Sequence, residues 1–417
     1  MRRARPLSAR RHMRRDSLST ALVREMPSRR CDFTFEPPMK KIAIIQKEIP
    51  HYRVRFFEEV SAQASTMGFD VTVYSAATTW SELPFKFSQR GLPIYQFTKR
   101  KNGPFWMKEL SAALIEIDLV VAPQELQCLN VPYLWANRHR RRTQWVWWGH
   151  GYNFQASACP SVSTTIKEAI KRFMTRRADG LITYTASGAD YWRRQGLPTG
   201  YVLPYYNTLD VEELRRVEAE IGERKIWELR RKLALEGKRV LLFSGRLYPE
   251  KQVDFILRTF AILKKSLPEV ALVIIGDGEQ RGDLEQLAAE LGLSDVHFLG
   301  ELVNPEDTAG YFSLADLLVM PALVGLAIVH GYAFGLPLIT TNAPGHGPEV
   351  EYLTGDAGVM TKPSELDTAS AIASILGSHD RLAVMKRAAM AQGDKLYLSH
   401  SVRRFVDGIR SFADKQH

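Results

Sequence analysis

The stretch FSGRLYPEKQVDFIL (243–257) places two cations where they can act together. Arg246 follows Gly245 directly, and Lys251 stands five positions later. Arginine offers a planar fork of donors that matches phosphate oxygens, and lysine a mobile point charge. Glycine lets the backbone approach a ligand closely. At the carboxyl end of a strand, just before a helix, the two side chains can converge on one diphosphate. The competing reading is a solvated surface pair, the usual fate of such residues.

Other stretches add neutral and acidic groups. In IIGDGEQ (274–280), Gly276 and Gly278 leave room for a ribose or base, and Asp277 and Glu279 offer acceptors. Asp-Gly is also an ordinary turn. In VHFLG (296–300), the strand end around Phe298 has backbone that can flank a nucleobase. In WVWWGHGYNF (145–154), His150 stands between Gly149 and Gly151 after Trp145, Trp147 and Trp148. A histidine so placed can orient a sugar hydroxyl, since its pKa lies near neutrality, and indole faces stack on sugars. The plainer reading is a set of core aromatics around a satisfied histidine.

The run PALVGLAIVHGYAFGLPLITT (321–341) holds no Asp, Glu, Lys or Arg and one histidine, His330. Gly325, Gly335 and Pro337 cut it into pieces too short for a membrane span, which needs about 20 apolar residues. The pattern predicts a strand Leu317–Met320, a helix Leu326–Phe334 and a strand Leu338–Thr341, buried on all sides.

These groups must be held by a scaffold, and the hydrophobic pattern supplies one. β-rich runs at 41–46, 70–76, 119–123, 144–149, 180–185 and 200–205 alternate with helical segments. The cycle restarts at KRVLLFSGRL (238–247) and continues through VALVIIGDGE, VHFLG and the uncharged run. The fold class is α/β: two Rossmann-like, doubly wound domains facing a cleft. The expected boundaries are 39–206 for the first domain and 207–390 for the second. Residues 391–417 then form an amphipathic helix that can cross back to the first.

The chain's net charge of +10 is uneven. Residues 1–38 hold ten Arg against four acids, a net +6, without the apolar core of a secretory signal. They read as a disordered extension or a misassigned start before Met39. Three widely spaced cysteines, Cys31, Cys128 and Cys159, fit no zinc or disulfide pattern and suit a reducing compartment. The helix pattern at 164–180 sets Lys167, Lys171, Arg172, Arg176 and Arg177 beside Ile166, Ile170, Phe173 and Met174. That suits an anionic membrane face, or equally a solvated charged face. No motif points to nucleic acid. No G-x-G-x-x-G follows a strand, which argues against a dehydrogenase.

Taken in order, GRLYPEKQVDFIL, VIIGDGEQ, VHFLGEL and HGYAFGLPLITT resemble the second half of the family 4 glycosyltransferases, two-Rossmann-domain enzymes of GT-B architecture. YYNTLD (205–210) resembles their interdomain junction, and WWGHG their acceptor-side histidine loop. The resemblance covers about residues 39–410. It implies retaining transfer of a sugar from a nucleotide-sugar donor to a glycan or lipid-linked acceptor, in polysaccharide synthesis. The cysteine pattern and the basic helix at 164–180 give the expected place: the cytoplasm, peripheral to the inner face of a membrane. Arg246 and Lys251 would hold the diphosphate, so no metal or other cofactor is required. His150 would act near the transferred sugar, and Glu279 and the HFLG turn near the nucleoside.

The chain departs from the family's EGFGLPxxE pattern. Ala322 stands at its first Glu, tied to the donor sugar, and His330 at its second, tied to the donor ribose. His330 can bond a ribose hydroxyl from near the amino end of its helix, where the dipole favours a neutral ring. The backbone of Gly325-Leu326-Ala327 can still meet a phosphate. In NAPGHGPEVEYL (342–353), His346 or Glu349 can supply the polar group that Ala322 lacks. The first loop, KEIPHYRVRFF, also lacks the family's glycines. These departures keep two alternatives open: a binding relative without catalysis, and a sugar-nucleotide epimerase of the same architecture.

Overall fold

Strands form where the sequence is charge-free. In β1 (Lys40–Gln46), Ile42 to Ile45 are at most 1% exposed, as expected for a parallel strand covered on both faces. The computed structural model describes residues 38–76, 85–99, 103–151, 162–302 and 304–415. The basic arm expected at 1–38 lies outside these, except for Pro38, as do Cys31 and Cys159.

The first sheet continues with β2 (Phe69–Ala76) and β3 (Ser88–Leu92). A two-stranded antiparallel ribbon follows, β4 (Ile94–Gln96) with β5 (Phe105–Met107). The sheet then resumes with β6 (Leu119–Pro123), β7 (Gln144–Gly149), β8 (Gly180–Thr183) and β9 (Val202–Pro204). Its order is β3-β2-β1-β6-β7-β8-β9, all parallel.

The second sheet holds β10 (Arg239–Ser244), β11 (Val270–Ile275), β12 (Val296–Gly300), β13 (Leu317–Val319), β14 (Leu338–Thr341) and β15 (Gly358–Thr361). Its order is β12-β11-β10-β13-β14-β15, again parallel. The uncharged run supplies β14 and the helix Ala327–Ala333, and β13 comes just before it. Ile328, Val329, Tyr332 and Ala333 are fully buried. Most of this strand-helix-strand unit is packed inside a sandwich, with only Leu326, Ala327 and His330 of the helix region partly exposed, so its buried faces tolerate no charge. Among the described residues, no helix is long and apolar enough to cross a membrane.

The helix Leu398–Ala413 packs its stripe of Leu398, Val402, Phe405, Ile409 and Phe412 into the first sheet's core. Phe405 lies 4.9 Å from Trp148, 5.2 Å from Phe56 and 5.5 Å from Tyr205, ring centre to ring centre. Gly180 is needed beneath this helix, because a Cβ there would sit 2.3 Å from the Phe412 ring. The chain's end thus completes the core of its beginning. Phe405→Ala is expected to cost about 3–5 kcal/mol in urea denaturation, by transfer and cavity terms. A loss under about 1 kcal/mol would show that this core does not depend on the last helix.

Candidate functional site

In each sheet the strand order reverses once, between β1 and β6 and between β10 and β13. Ligands of such folds bind outside the carboxyl ends of the strands at that reversal. Gly245 and Arg246 follow β10, and Lys251 ends a short 3-10 turn, Pro249–Lys251. The Lys251 ammonium donates to the carbonyl of Leu323, in the loop after β13. It therefore spans the reversal of the second sheet. Gly245 lies over it: a Cβ there would stand 3.8 Å from Nζ. Burial lowers the Lys251 pKa to about 8, and Glu349 opposes the shift. Near neutral pH the ammonium stays charged, but it is poorly solvated. Arg246 is exposed, and no described residue pairs with its guanidinium. One half-buried cation and one exposed cation stand together here.

The glycines of the next loop serve a different purpose from the one expected. A Cβ at Gly276 would lie 2.0 Å from the Gly245 carbonyl oxygen, and one at Gly278 would lie 2.3 Å from that of Leu247. On the side where a Cβ would point, backbone fills the space beside both glycines. Gly245 N–H donates to Ile275 O and Leu247 N–H to Asp277 O, locking the two loops together. Gly276, at φ 132°, is required for this approach. Glu279 is exposed in that loop, and Asp277 is engaged by Arg281 at 3.0 Å. Phe298 lies mid-strand on the edge strand β12, partly buried against the core, and the strand ends at Gly300.

His330 departs furthest from expectation. It falls at the middle of its seven-residue helix, and its ring stacks on Phe312 at 3.8 Å. Its Nε2 is buried without a partner. The ring is held neutral, with a pKa lowered to about 4, by burial. The ring is thus turned to Phe312, where a ribose-binding group was expected. At the helix start, Ala327 N–H closes a turn onto Val324 O, so one of the three expected phosphate donors is already used. Gly325 is left-handed, and so is Leu323 at φ 43°, a strained setting for leucine that the Lys251 hydrogen bond helps hold.

His346 and Glu349 both lie near Lys251. His346 is buried, and its Nε2 meets Thr341 O at 2.8 Å. A carbonyl only accepts, so Nε2 carries the proton and Nδ1 keeps a lone pair that lacks a partner. Glu349 is 4% exposed, and its Oε1 accepts from Asn207 Nδ2 at 2.7 Å. Burial pushes its pKa up, and the Asn207 bond opposes this. Its Oε1 is thereby engaged at the junction between the two sheets.

In the first half, His150 is exposed just past β7, with its ring 4.2 Å from Tyr184. One side of the ring meets solvent, while dense protein on its other sides, with Arg53 and Lys171, lowers its pKa to about 4. The flanking glycines are steric necessities. A Cβ at Gly151 would lie 2.5 Å from Gly188 Cα, and one at Gly149 would lie 3.0 Å from Gln124 Cβ. Trp145, Trp147 and Trp148 are at most 2% exposed, so they are core residues and offer no platform for a sugar.

Three residues that were not among the sequence candidates complete the region. Arg53 is 8% exposed, lies over Trp148 and Tyr184, and donates to the Tyr184 hydroxyl at 2.8 Å. Asn207 receives the Tyr205 hydroxyl at 2.6 Å, and its carbonyl accepts from Tyr352 at 3.0 Å. Glu351 accepts from the N–H groups of Ala186 and Ser187, at the start of the helix Ala186–Arg194. The only sequence signal for Arg53 is the unusual loop after β1, and for Asn207 the YYNTLD junction.

Residues 225–392 match the family described as glycosyl transferases group 1. A D-inositol 3-phosphate glycosyltransferase of Nocardia farcinica is 29% identical over 262 residues, covering 58% of this chain and 54% of that protein. An alpha-monoglucosyldiacylglycerol synthase of Streptococcus pneumoniae is 32% identical over 137 residues, 32% of this chain and 31% of that protein. The chain thus spans about half the length, or less, of these curated relatives. The crystal structure of the Anabaena protein HepE in complex with UDP aligns with a TM-score of 0.68 at 16% identity, over 89% of this chain and 100% of that one. That likeness is one of fold: two Rossmann-like halves, the GT-B architecture.

The packing at Gly276 can be tested against a nearby control. Gly276→Ala should part the two loops and lower the thermal midpoint. Gly282→Ala, in the helix Arg281–Glu290 with open space around it, should be neutral or stabilise by up to about 1 kcal/mol. Equal behaviour of the two variants in a thermal-shift assay would refute the role given to Gly276.

Proposed function

We propose that this chain transfers a sugar from a nucleotide-sugar donor to a glycan or lipid-linked acceptor, with retention of configuration, in polysaccharide or glycolipid synthesis. The observation that carries this reading is the pair Arg246 and Lys251 at the strand-order reversal of the second sheet. The group 1 family match over residues 225–392 supports it.

In this reading the two cations bind the donor diphosphate and offset the charge that develops on it as the sugar bond breaks. Their charge supplies the electrostatic help that a metal gives in other sites, so no metal is needed. A half-buried ammonium is suited to this, because an anion gains more from a poorly solvated charge than from one in water. His150, neutral near pH 7, receives or orients a hydroxyl of the transferred sugar. Catalysis takes place in the cytoplasm.

Ala322 and the turned ring of His330 favour a second reading, in which the chain binds a nucleotide sugar without transferring it. Incubation with UDP-, GDP- and ADP-sugars and candidate acceptors separates the two. Transfer should release nucleoside diphosphate, and Lys251→Ala or Arg246→Ala should lower kcat/KM by about 100-fold or more. Because Arg246 is exposed, its variant should keep the wild-type thermal midpoint. Donor binding without released diphosphate in the wild type would favour the second reading. An epimerised sugar nucleotide would replace both.

A further inference from the structure

The ribbon of β4 and β5 turns large rings away from the core. In β5, Phe105 and Met107 are buried, so the pleat sends Trp106, between them, to the other face. The antiparallel register sets Tyr95 opposite Trp106. Phe97 lies two residues beyond Tyr95, on the same face, and their ring centres are 4.9 Å apart. Tyr133, from the helix Asn130–Ala136, brings its ring to 5.9 Å from that of Trp106. Tyr95, Phe97 and Tyr133 are exposed by 56%, 51% and 51%, and Trp106 is partly exposed. One exposed ring needs no explanation, but four linked in this way do.

The chemistry of the four rings narrows what can cover them. All four side chains are neutral, which suits an uncharged ligand better than a polyanion. Aromatic faces take the C–H faces of sugar rings, while phenol and indole keep a polar edge for hydroxyls. Among the described residues, nothing hydrogen-bonds the Tyr95 or Tyr133 hydroxyl or the Trp106 indole N–H, so these edges are open to a ligand. The exposed part of the four rings comes to about 400 Å², roughly half of what one partner contributes to a stable protein interface. A glycan strand, which is narrow, needs no more.

The ribbon also lies where a ligand of the first half would pass. Phe105 N–H donates to Gln127 O and Leu129 N–H to Phe105 O, both at 2.9 Å, which ties β5 to the loop after β6. Lys47, the first residue after β1, holds its ammonium 5.9 Å from the centre of the Phe105 ring. A small pocket there is lined by Gln46, Lys47, Phe105, Pro123 and Glu125. These are the carboxyl ends of β1 and β6, between which the first sheet reverses its order. His150 follows β7, the next strand beyond β6. We propose that Tyr95, Phe97, Trp106 and Tyr133 form a glycan-binding platform that holds several sugars of a chain beyond its reacting end. The acceptor is then an oligosaccharide or a longer glycan. That last statement rests on the proposed transferase reading; glycan binding by the rings does not.

Affinity electrophoresis of the full-length protein tests this, in native gels cast with dextran, mannan, galactan or no polysaccharide. At least one of the three should slow the wild type at least about twofold, and the retardation should rise with polysaccharide concentration. Tyr95→Ser with Phe97→Ser, and separately Trp106→Ala, should each weaken the apparent affinity by about tenfold. Tyr95 and Phe97 are exposed, so their variant should keep the wild-type thermal midpoint, and it decides the matter if Trp106→Ala fails to fold. Trp227→Ala removes another exposed ring, on the helix Val211–Lys232, and should migrate as the wild type does. No retardation of the wild type by any of the three, or retardation undiminished in both ring variants, overturns the proposal. So does an equal loss in Trp227→Ala, which would mark general stickiness. A dimer in sedimentation velocity that the ring variants split, without retardation by polysaccharide, also overturns it, since the rings would then seat a second copy. Glycan binding is read without donor or turnover, so its failure and that of the transferase reading are distinguishable.

Discussion

A lysine ammonium without full solvation sits at the reversal of the second sheet, and much of the surrounding structure serves to keep it there. Burying a cation is costly unless acceptors and opposite charge meet it. Here the Leu323 carbonyl accepts a hydrogen bond from the ammonium and Glu349 supplies opposite charge from nearby. The left-handed leucine at 323 and the close backbone contact at Gly276 accompany the fitting of the Lys251 loop against its neighbours. Its pKa, lowered to about 8, marks a charge that the protein alone leaves short of partners. An arriving anion would complete it.

The second constraint joins the two sheets. Glu349 of the second half is buried on Asn207 of the junction, and Glu351 caps a helix of the first half with both carboxylate oxygens. Arg53 lies buried among aromatic rings on the first-half side and moderates the Glu349 carboxylate. These groups lie beside the residues with candidate chemistry: Glu349 acts on Lys251, and Arg53 on His150. Charges that hold the halves together thus also tune the groups that would meet substrate.

The strands are legible in the sequence because burial on both faces leaves a chemical mark, a run without charge such as IAII, LVVA or LVII. The edge strand β3, reading SQRGL, has no such mark and escapes a reading by pattern, as do the short ribbon and the small helices beside it. Arg246 and Lys251 can be placed because they follow a strand closely in sequence. His330 cannot, since its ring direction is set by Phe312, on another helix. Sequence shows that Gly276 has freedom, but only tertiary structure shows that the backbone of Gly245 presses against it. Arg53 is invisible for the same reason: what distinguishes it is the pair of rings brought to it from β7 and the end of β8.

The account centres on Lys251 as a cation held ready for a diphosphate. NMR titration of its side chain, assigned with a Lys251→Arg variant, measures this in the free protein and with saturating UDP or GDP. The free ammonium should titrate near 8 and, with the nucleotide bound, shift upward toward or beyond the ordinary lysine value of 10.5, because an adjacent anion favours the protonated form. An ordinary pKa in the free protein, or the same pKa with and without bound nucleotide, would contradict the account.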